Sequence, residues 1–232
     1  MKERRPIGYG LMLMSFGSGC MDILSYRFLG EVFPSAMTGN VAFMGLSLGQ
    51  GDLSAASRNA SAFASFFGGL LIGGVLLRGT PGRWRFVLTL ALQSAALLAF
   101  VLLWGRHADP AWRYGLIGLA AVAMGLQSAV AHRIGLSGVS TTYFTGTLTN
   151  IAFGLVAPAA LDRSKHPALR RVGWPLLAFL SYLGGAATGG WYIAGRNLPD
   201  LPVGLPALPL AATVILAIII IAAAPARESA VA

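Results

Sequence analysis

Charge is what this sequence has least of. Only 11% of its 232 residues are charged, under half the roughly 25% usual in soluble domains, which excludes a chain built around one water-facing surface. Cysteine is nearly absent too. The single Cys20 excludes an internal disulfide and any site needing several thiolates. The three histidines, His107, His132 and His166, lie in connectors or at segment ends, with no H-E-x-x-H and no His/Cys cluster, so no metal site is expected. No glycine-rich loop ends in a Lys-Ser/Thr pair to cradle a nucleotide phosphate. "GSGC" and "SGVS" lack the strand and helix context of a nucleophile elbow, and one buried acid without a partner makes a poor hydrolase. These absences point away from an enzyme and away from cofactors.

Apolar length takes their place. The chain is 56% hydrophobic with a mean hydropathy of +0.69, and several of its runs reach the ~20 residues that a helix needs to cross a ~30 Å hydrocarbon core. Lipid cannot satisfy bare backbone groups, so such runs are expected to be helices. The ten-residue alternation of a barrel is missing. The formal charge of +9 does not indicate nucleic acid, because the bases sit in short connectors and tails where the positive-inside bias concentrates them. The start, "MKERRPIGYGLMLMSFGSGC", imitates a signal peptide. Its apolar run continues past Cys20 through Met21, Ile23 and Leu24, which favours a retained first helix.

Eight apolar segments can be marked at 7–29, 34–49, 58–78, 84–105, 112–132, 138–160, 173–194 and 205–224. The connectors "GQGD", "RGTPGRWR", "GRHADPAWR", "LDRSKHPALRR" and "GRNLPDLPVGLP" punctuate them. All are too short for a soluble domain, so 1–232 reads as one membrane domain. Self-similarity divides it further. Setting Gly39 on Gly146 lays "MTGNVAFMGLSLG" over "FTGTLTNIAFGLV", an offset of 106 lays Gly19 on Gly125, and an offset of 116 lays "FFGGLLIGGVLLRG" over "YLGGAATGGWYIAG". Two repeats follow, 1–107 and 108–232. The doubled glycines read as packing seams, since small residues one turn apart let backbones approach.

The expected fold is therefore an all-α polytopic bundle of two internal repeats, with either eight spans or six full spans plus two short or broken ones. From a cytoplasmic N-terminus, eight crossings place 11 Lys and Arg inside against 6 outside, and six crossings place 12 against 5. Both schemes favour an N-terminus inside. They differ in consequence, since eight crossings make the repeats parallel and six make them inverted.

Chemistry-bearing residues gather around two Thr-Gly blocks. Glycine lets the backbone leave helical geometry, hydroxyls and amides take up freed backbone groups, and a helix N-terminus within the membrane offers donors. Thr38, Gly39 and Asn40 in "SAMTGN", with Thr145, Gly146, Thr147, Thr149 and Asn150 in "YFTGTLTN", are thus candidates to line a shared cavity; close packing with satisfied hydroxyls is the plainer alternative. Asp22 is the only acid deep in an apolar segment, a costly placement that marks function by default. Tyr26 lies one turn on, and Arg27 or Arg133 is a possible counter-charge. A structural ion pair, proton or cation coupling, and direct substrate contact all remain open for Asp22. Its position in the second half falls on Ser128 or Ala129, and Gln127 is that half's buried amide.

"GCMDILSYRFLGEVFPSAMTGNVAFMGLSLGQGD" together with "VSTTYFTGTLTNIAFGL" resembles the YoaK-like family of bacterial inner-membrane proteins of unknown function, over nearly the whole chain. Gly19, Asp22, Thr38, Gly39, Asn40, Gln127, Thr145 and Gly146 are the matching positions. Where that family often has Asn after the glutamine this chain has Ser128, which weakens a polar role there. The resemblance implies a multi-pass protein of the bacterial inner membrane and names no activity. Taken together, the residues lead to the expectation of a small-molecule permease or secondary transporter with a cavity between its repeats, its partners being the bilayer, an unidentified small solute and a coupling proton or cation. A non-transporting scaffold or sensor subunit is the alternative.

Overall fold

The structure, a computed structural model, describes residues 4–80, 82–135, 146, 148–149, 151–153, 168–194 and 204–222. Every regular element among them is helical: α1 (Arg4–Phe28), α2 (Met37–Gln50), α3 (Leu53–Leu76), α4 (Arg83–Leu103) running into a 3-10 turn (Trp104–Arg106), α5 (Pro110–Ile134), α6 (Ala168–Ala194) and α7 (Gly204–Ala222). Pro6–Phe28, Leu53–Leu76, Arg83–Arg106 and Pro110–Ile134 are apolar enough and, at 23 to 25 residues, long enough to cross a bilayer. At 1.5 Å per residue each reaches about 34 Å or more.

Short polar side chains set where these helices begin. The Asp52 carboxylate accepts from the Ala55 N–H at 2.9 Å, and the Asp109 carboxylate from the Ala111 N–H at 2.9 Å, just ahead of Pro110 in the first turn. Each satisfies a donor that a helix start leaves free. Because Asp52 caps so early, α3 begins at Leu53 rather than near residue 58, and "LSAAS" is helix, not connector.

Helix directions follow from which residues meet. Along α1 and α6, Gly8 faces Trp174, Gly19 faces Tyr182 and Ala186, and Gly189 faces Cys20 and Ile23, so the two run parallel. Along α3 and α5, Ser57 bonds Tyr114 at 2.7 Å, Gly69 faces Val122 and Gly73 faces Leu126 and Ala129, so these also run parallel. Between α1 and α5 the order reverses, with Gln127 reaching Met14 and Ser18, and Ser18 reaching Met124. α7 opposes α1, since Pro209 meets Gly17 and Leu216 meets Gly10. It also opposes α4, whose Arg83 meets Ile221. Thus α1 ends, and α3 begins, at one end of the bundle, called here the Phe28 end. α2 starts inside the bundle and returns to that same end.

Four glycines make the closest approaches. At Gly19 and Gly185 an added Cβ would strike the backbone of Tyr182 and Phe16, and at Gly69 and Gly125 that of Val122 and Phe66. The seam reading of the doubled glycines holds for one member of each pair, since Gly68, Gly74 and Gly190 face nothing within 4 Å. In cross-section α1, α4, α5 and α7 form a central group, α3 lies outside on α5, α6 outside on α1, and α2 against α3. One apolar cluster, with Leu29, Val32, Phe100, Trp104 and Ile117, fills the Phe28 end. A second, with Leu11, Leu77, Leu90, Val130 and Leu216, fills the Arg4 end.

Candidate functional site

Asp22 sits on α1 six residues before the helix ends, about 9 Å deep at 1.5 Å per residue, and has no exposed surface. After Phe28 the chain turns through Gly30 and Glu31, at φ of 93° and 62°, with the Leu29 and Glu31 N–H groups donating back to the Ser25 and Tyr26 carbonyls at 2.8 and 3.0 Å. It then dips into the bundle until Ser35 meets Asp22. The Ser35 N–H donates to Oδ1 at 2.9 Å and the Ser35 hydroxyl to Oδ2 at 2.6 Å. A third donor, the Tyr182 hydroxyl of α6, reaches Oδ2 at 2.7 Å. The carboxylate therefore ties together α1, the entry to α2 and α6.

That arrangement corrects two expectations. Arg27 and Arg133 are both exposed, and the Arg27 guanidinium lies 5.5 Å from the centre of the Phe28 ring; the partners of Asp22 are hydroxyls and an amide in place of a cation. Hydrogen-bond donors satisfy a buried carboxylate without the second desolvation that a buried ion pair incurs. Tyr26, although one turn from Asp22, turns outward at 36% exposed and stacks on Phe33 at 5.1 Å. The tyrosine on the carboxylate is Tyr182, distant in sequence and without a local signal.

The first Thr-Gly block builds the turn into α2. The Asn40 side chain accepts from the Phe33 N–H at 2.8 Å and donates to the Phe33 carbonyl at 2.6 Å, closing the loop as a backbone pair would. Gly39 leaves room for the Phe33 ring, which a Cβ would meet at 3.1 Å. Ala36, at the helix start, supplies no side-chain cap. Asn40 is fully buried and Thr38 exposed. In the second block Gly146 and Thr149 are helical, Thr149 being exposed, while Thr145, Thr147 and Asn150 lie outside the described residues.

A second polar assembly occupies the middle of the four central helices. Gln127 of α5, buried as the sequence suggests, donates to the Ser18 hydroxyl of α1 at 2.7 Å and to the Met14 carbonyl at 3.4 Å. Gln93 of α4 donates to Gln127 Oε1 at 3.1 Å and to the Thr213 hydroxyl of α7 at 2.9 Å. Ser18 and Thr213 pass their own protons to the Met14 and Pro209 carbonyls at 3.0 and 2.9 Å. All four side chains are at most 2% exposed, and Gln93 Oε1 has no partner among the described residues. Each helix contributes one member, and every bond between side chains joins residues 1–107 to residues 108–232. Sequence reasoning found Gln127 and missed the others, although Gln93 is the only amide of segment 84–105 and Thr213 the only polar side chain of 205–224. A lone amide in one apolar run and a lone hydroxyl in another were the available signals. No group of three or more metal-ligating His, Cys, Asp or Glu occurs among the described residues.

Known proteins agree with this membrane architecture and leave its chemistry open. No solved structure matches the chain. It is 29% identical to the UPF0700 transmembrane protein YoaK of Bacillus subtilis over 180 residues, covering 76% of this chain and 79% of that protein. The model of a family described as "Protein of unknown function (DUF1275)" matches residues 10–226, nearly the whole chain, and the chain belongs to that family.

Proposed function

We propose that this protein is a small-molecule permease of the bacterial inner membrane, built from two inverted repeats of three full spans and one half-helix each. The observation that carries the reading is the central polar junction, whose side-chain bonds all run between the two halves at the level where their helices cross. Helix direction supports the inverted arrangement. Under the sequence alignment α1 corresponds to α5, α3 to α6 and α4 to α7, and each helix runs opposite to its counterpart. That relation is the one in which two halves exchange roles when a site opens first to one side and then to the other. The same directions favour six crossings over eight, with the N-terminus in the cytoplasm beside the basic α3–α4 turn. The solute site lies between the halves, where the α2 N-terminus enters the bundle. Asp22 holds that entry in place and is the group a coupling proton or cation would address.

A non-transporting scaffold is the second reading, favoured by the burial of Asp22 and of the junction at 2% exposure or less. Flux separates the two. Uptake and efflux of a metabolite panel are compared in a strain lacking the protein, in one expressing it and in one expressing Asp22→Asn at equal membrane levels. A permease shifts at least one solute, and Asp22→Asn abolishes its driven accumulation. No shift for any solute in either direction supports the scaffold.

A further inference from the structure

At the Arg4 end the helices close on an apolar cluster, and the residues rimming that cluster are basic. Leu77 is a buried member, with Phe86 and Ile134 packed against it; their chain neighbours are Arg78, Arg85 and Arg133, all exposed, as are His132 and Arg83. Among the described residues no acid answers them. Of the four carboxylates among the described residues, Asp22 is buried, while Glu31, Asp52 and Asp109 follow α1, cap α3 and cap α5 at the opposite end. The arginines of the α3–α4 turn are also held in place. Arg83 donates to the Ile221 carbonyl at 3.3 Å, and Arg85 to the Arg78 carbonyl at 3.1 Å. Each bond uses one nitrogen of a guanidinium that carries five N–H donors.

Placing two arginines in the first turn of α4, which contains no acid, sets positive charge on the positive end of the helix dipole. That local arrangement is unfavourable alone and becomes favourable once an anion sits on it. Trp84 stands between the two at 68% exposed, as an aromatic does at headgroup depth. The depth, the fixed guanidinium forks and the indole suit the phosphodiester of a lipid better than a freely diffusing anion.

We propose that the α3–α4 turn, with the adjoining end of α5, is a binding surface for anionic phospholipid headgroups. Arg78, Arg83 and Arg85 take the phosphate oxygens, Trp84 lies along the glycerol and upper acyl region, and Arg133 extends the surface. The assignment is independent of whether the protein transports a solute.

The test uses the purified full-length protein in a neutral detergent, titrated with phosphatidylglycerol or phosphatidylcholine and read by native mass spectrometry. Phosphatidylglycerol is expected to bind in preference, with affinity falling about fivefold for each of Arg78→Gln, Arg83→Gln and Arg85→Gln. Arg83→Lys combined with Arg85→Lys keeps most of the binding, which distinguishes lost charge from lost folding. Arg58→Gln combined with Arg106→Gln removes two charges from the Phe28 end, more than any of those single changes, and leaves binding unchanged. Equal uptake of the two lipids, or an equal loss from the Phe28-end pair, overturns the proposal. Protection against heat by inorganic phosphate alone, matching that by phosphatidylglycerol, overturns the lipid as the source of the anion.

Discussion

Replacing Asp22 by Asn and by Leu separates shape, charge and hydrogen bonding at the point where α1, α6 and the entry to α2 meet. Three donors converge on the carboxylate, at 2.6, 2.7 and 2.9 Å. Asparagine retains one acceptor for the Ser35 N–H. Its amide then faces the Ser35 and Tyr182 hydroxyls, each of which can rotate to accept, so all three contacts survive with two reversed in direction. The expected cost is small, within about 1 kcal/mol. Leucine satisfies none of them and strands three buried donors at roughly 1–3 kcal/mol each, for a loss of about 3–6 kcal/mol after partial relaxation. An ion pair behaves otherwise, since Asp22→Asn alone would leave a buried cation and cost about 3–5 kcal/mol. Unfolding of the detergent-solubilised protein, followed by intrinsic fluorescence, is the assay. Equal destabilisation by Asn and Leu would refute the hydrogen-bond account, and so would recovery of Asp22→Asn by Arg27→Gln or Arg133→Gln.

Two further perturbations probe the frame around that point. Alanine at Gly19, Gly69, Gly125 or Gly185 forces a methyl onto a neighbouring backbone and should cost about 1–3 kcal/mol by overpacking, whereas alanine at Gly68, Gly74 or Gly190 should be neutral or slightly stabilising; thermal midpoints that do not separate the two sets would contradict the crossings described. Asn40→Ala removes both bonds to the Phe33 backbone and should free the loop 29–36, raising amide exchange at Val32, Phe33 and Ser35 while leaving α4 and α5 protected. Protection unchanged in that loop would mean that Asp22 and Ser35 hold it alone.

Much of the architecture was legible because lipid allows so few solutions. Long apolar runs had to be helices, and paired glycines one turn apart marked where helices approach, so segment order and the place of the seams could be read, though not which glycine of each pair makes the contact. The second segment was ambiguous for a physical reason: a 16-residue apolar run is too short to cross unaided and too long to be a turn, and the basic residues beside it are too few to choose. The route it takes in the structure follows from Ser35 bonding Asp22 and from α3 running against α1, both long-range facts. Asp22 itself stood out, because an acid in hydrocarbon is expensive wherever it points. Its partner did not, because charge balance suggests a nearby arginine while geometry supplies a tyrosine 160 residues away.

The same limit explains why the inequality of the two halves could be read in part. The glycine crossing of α1 on α6 and that of α3 on α5 use aligned residues, Gly19 with Gly125 and Gly69 with Gly185, so both seams have similar backbone contact. At the polar positions the alignment breaks down. Under the repeat alignment Ser128 or Ala129 stands for Asp22 and Phe66 for Tyr182, so neither the carboxylate nor the phenol of the α1–α6 seam has a like counterpart on α5 and α3. Sliding α6 along α1 must break the Tyr182 bond and disturb the anchor of the α2 entry. Sliding α3 along α5 disturbs the hydroxyl contact at the exposed rim between Ser57 and Tyr114. For the proposed permease, whose halves rock against one another, motion along the α1–α6 seam therefore has to break the Tyr182–Asp22 bond and release the α2 entry with it.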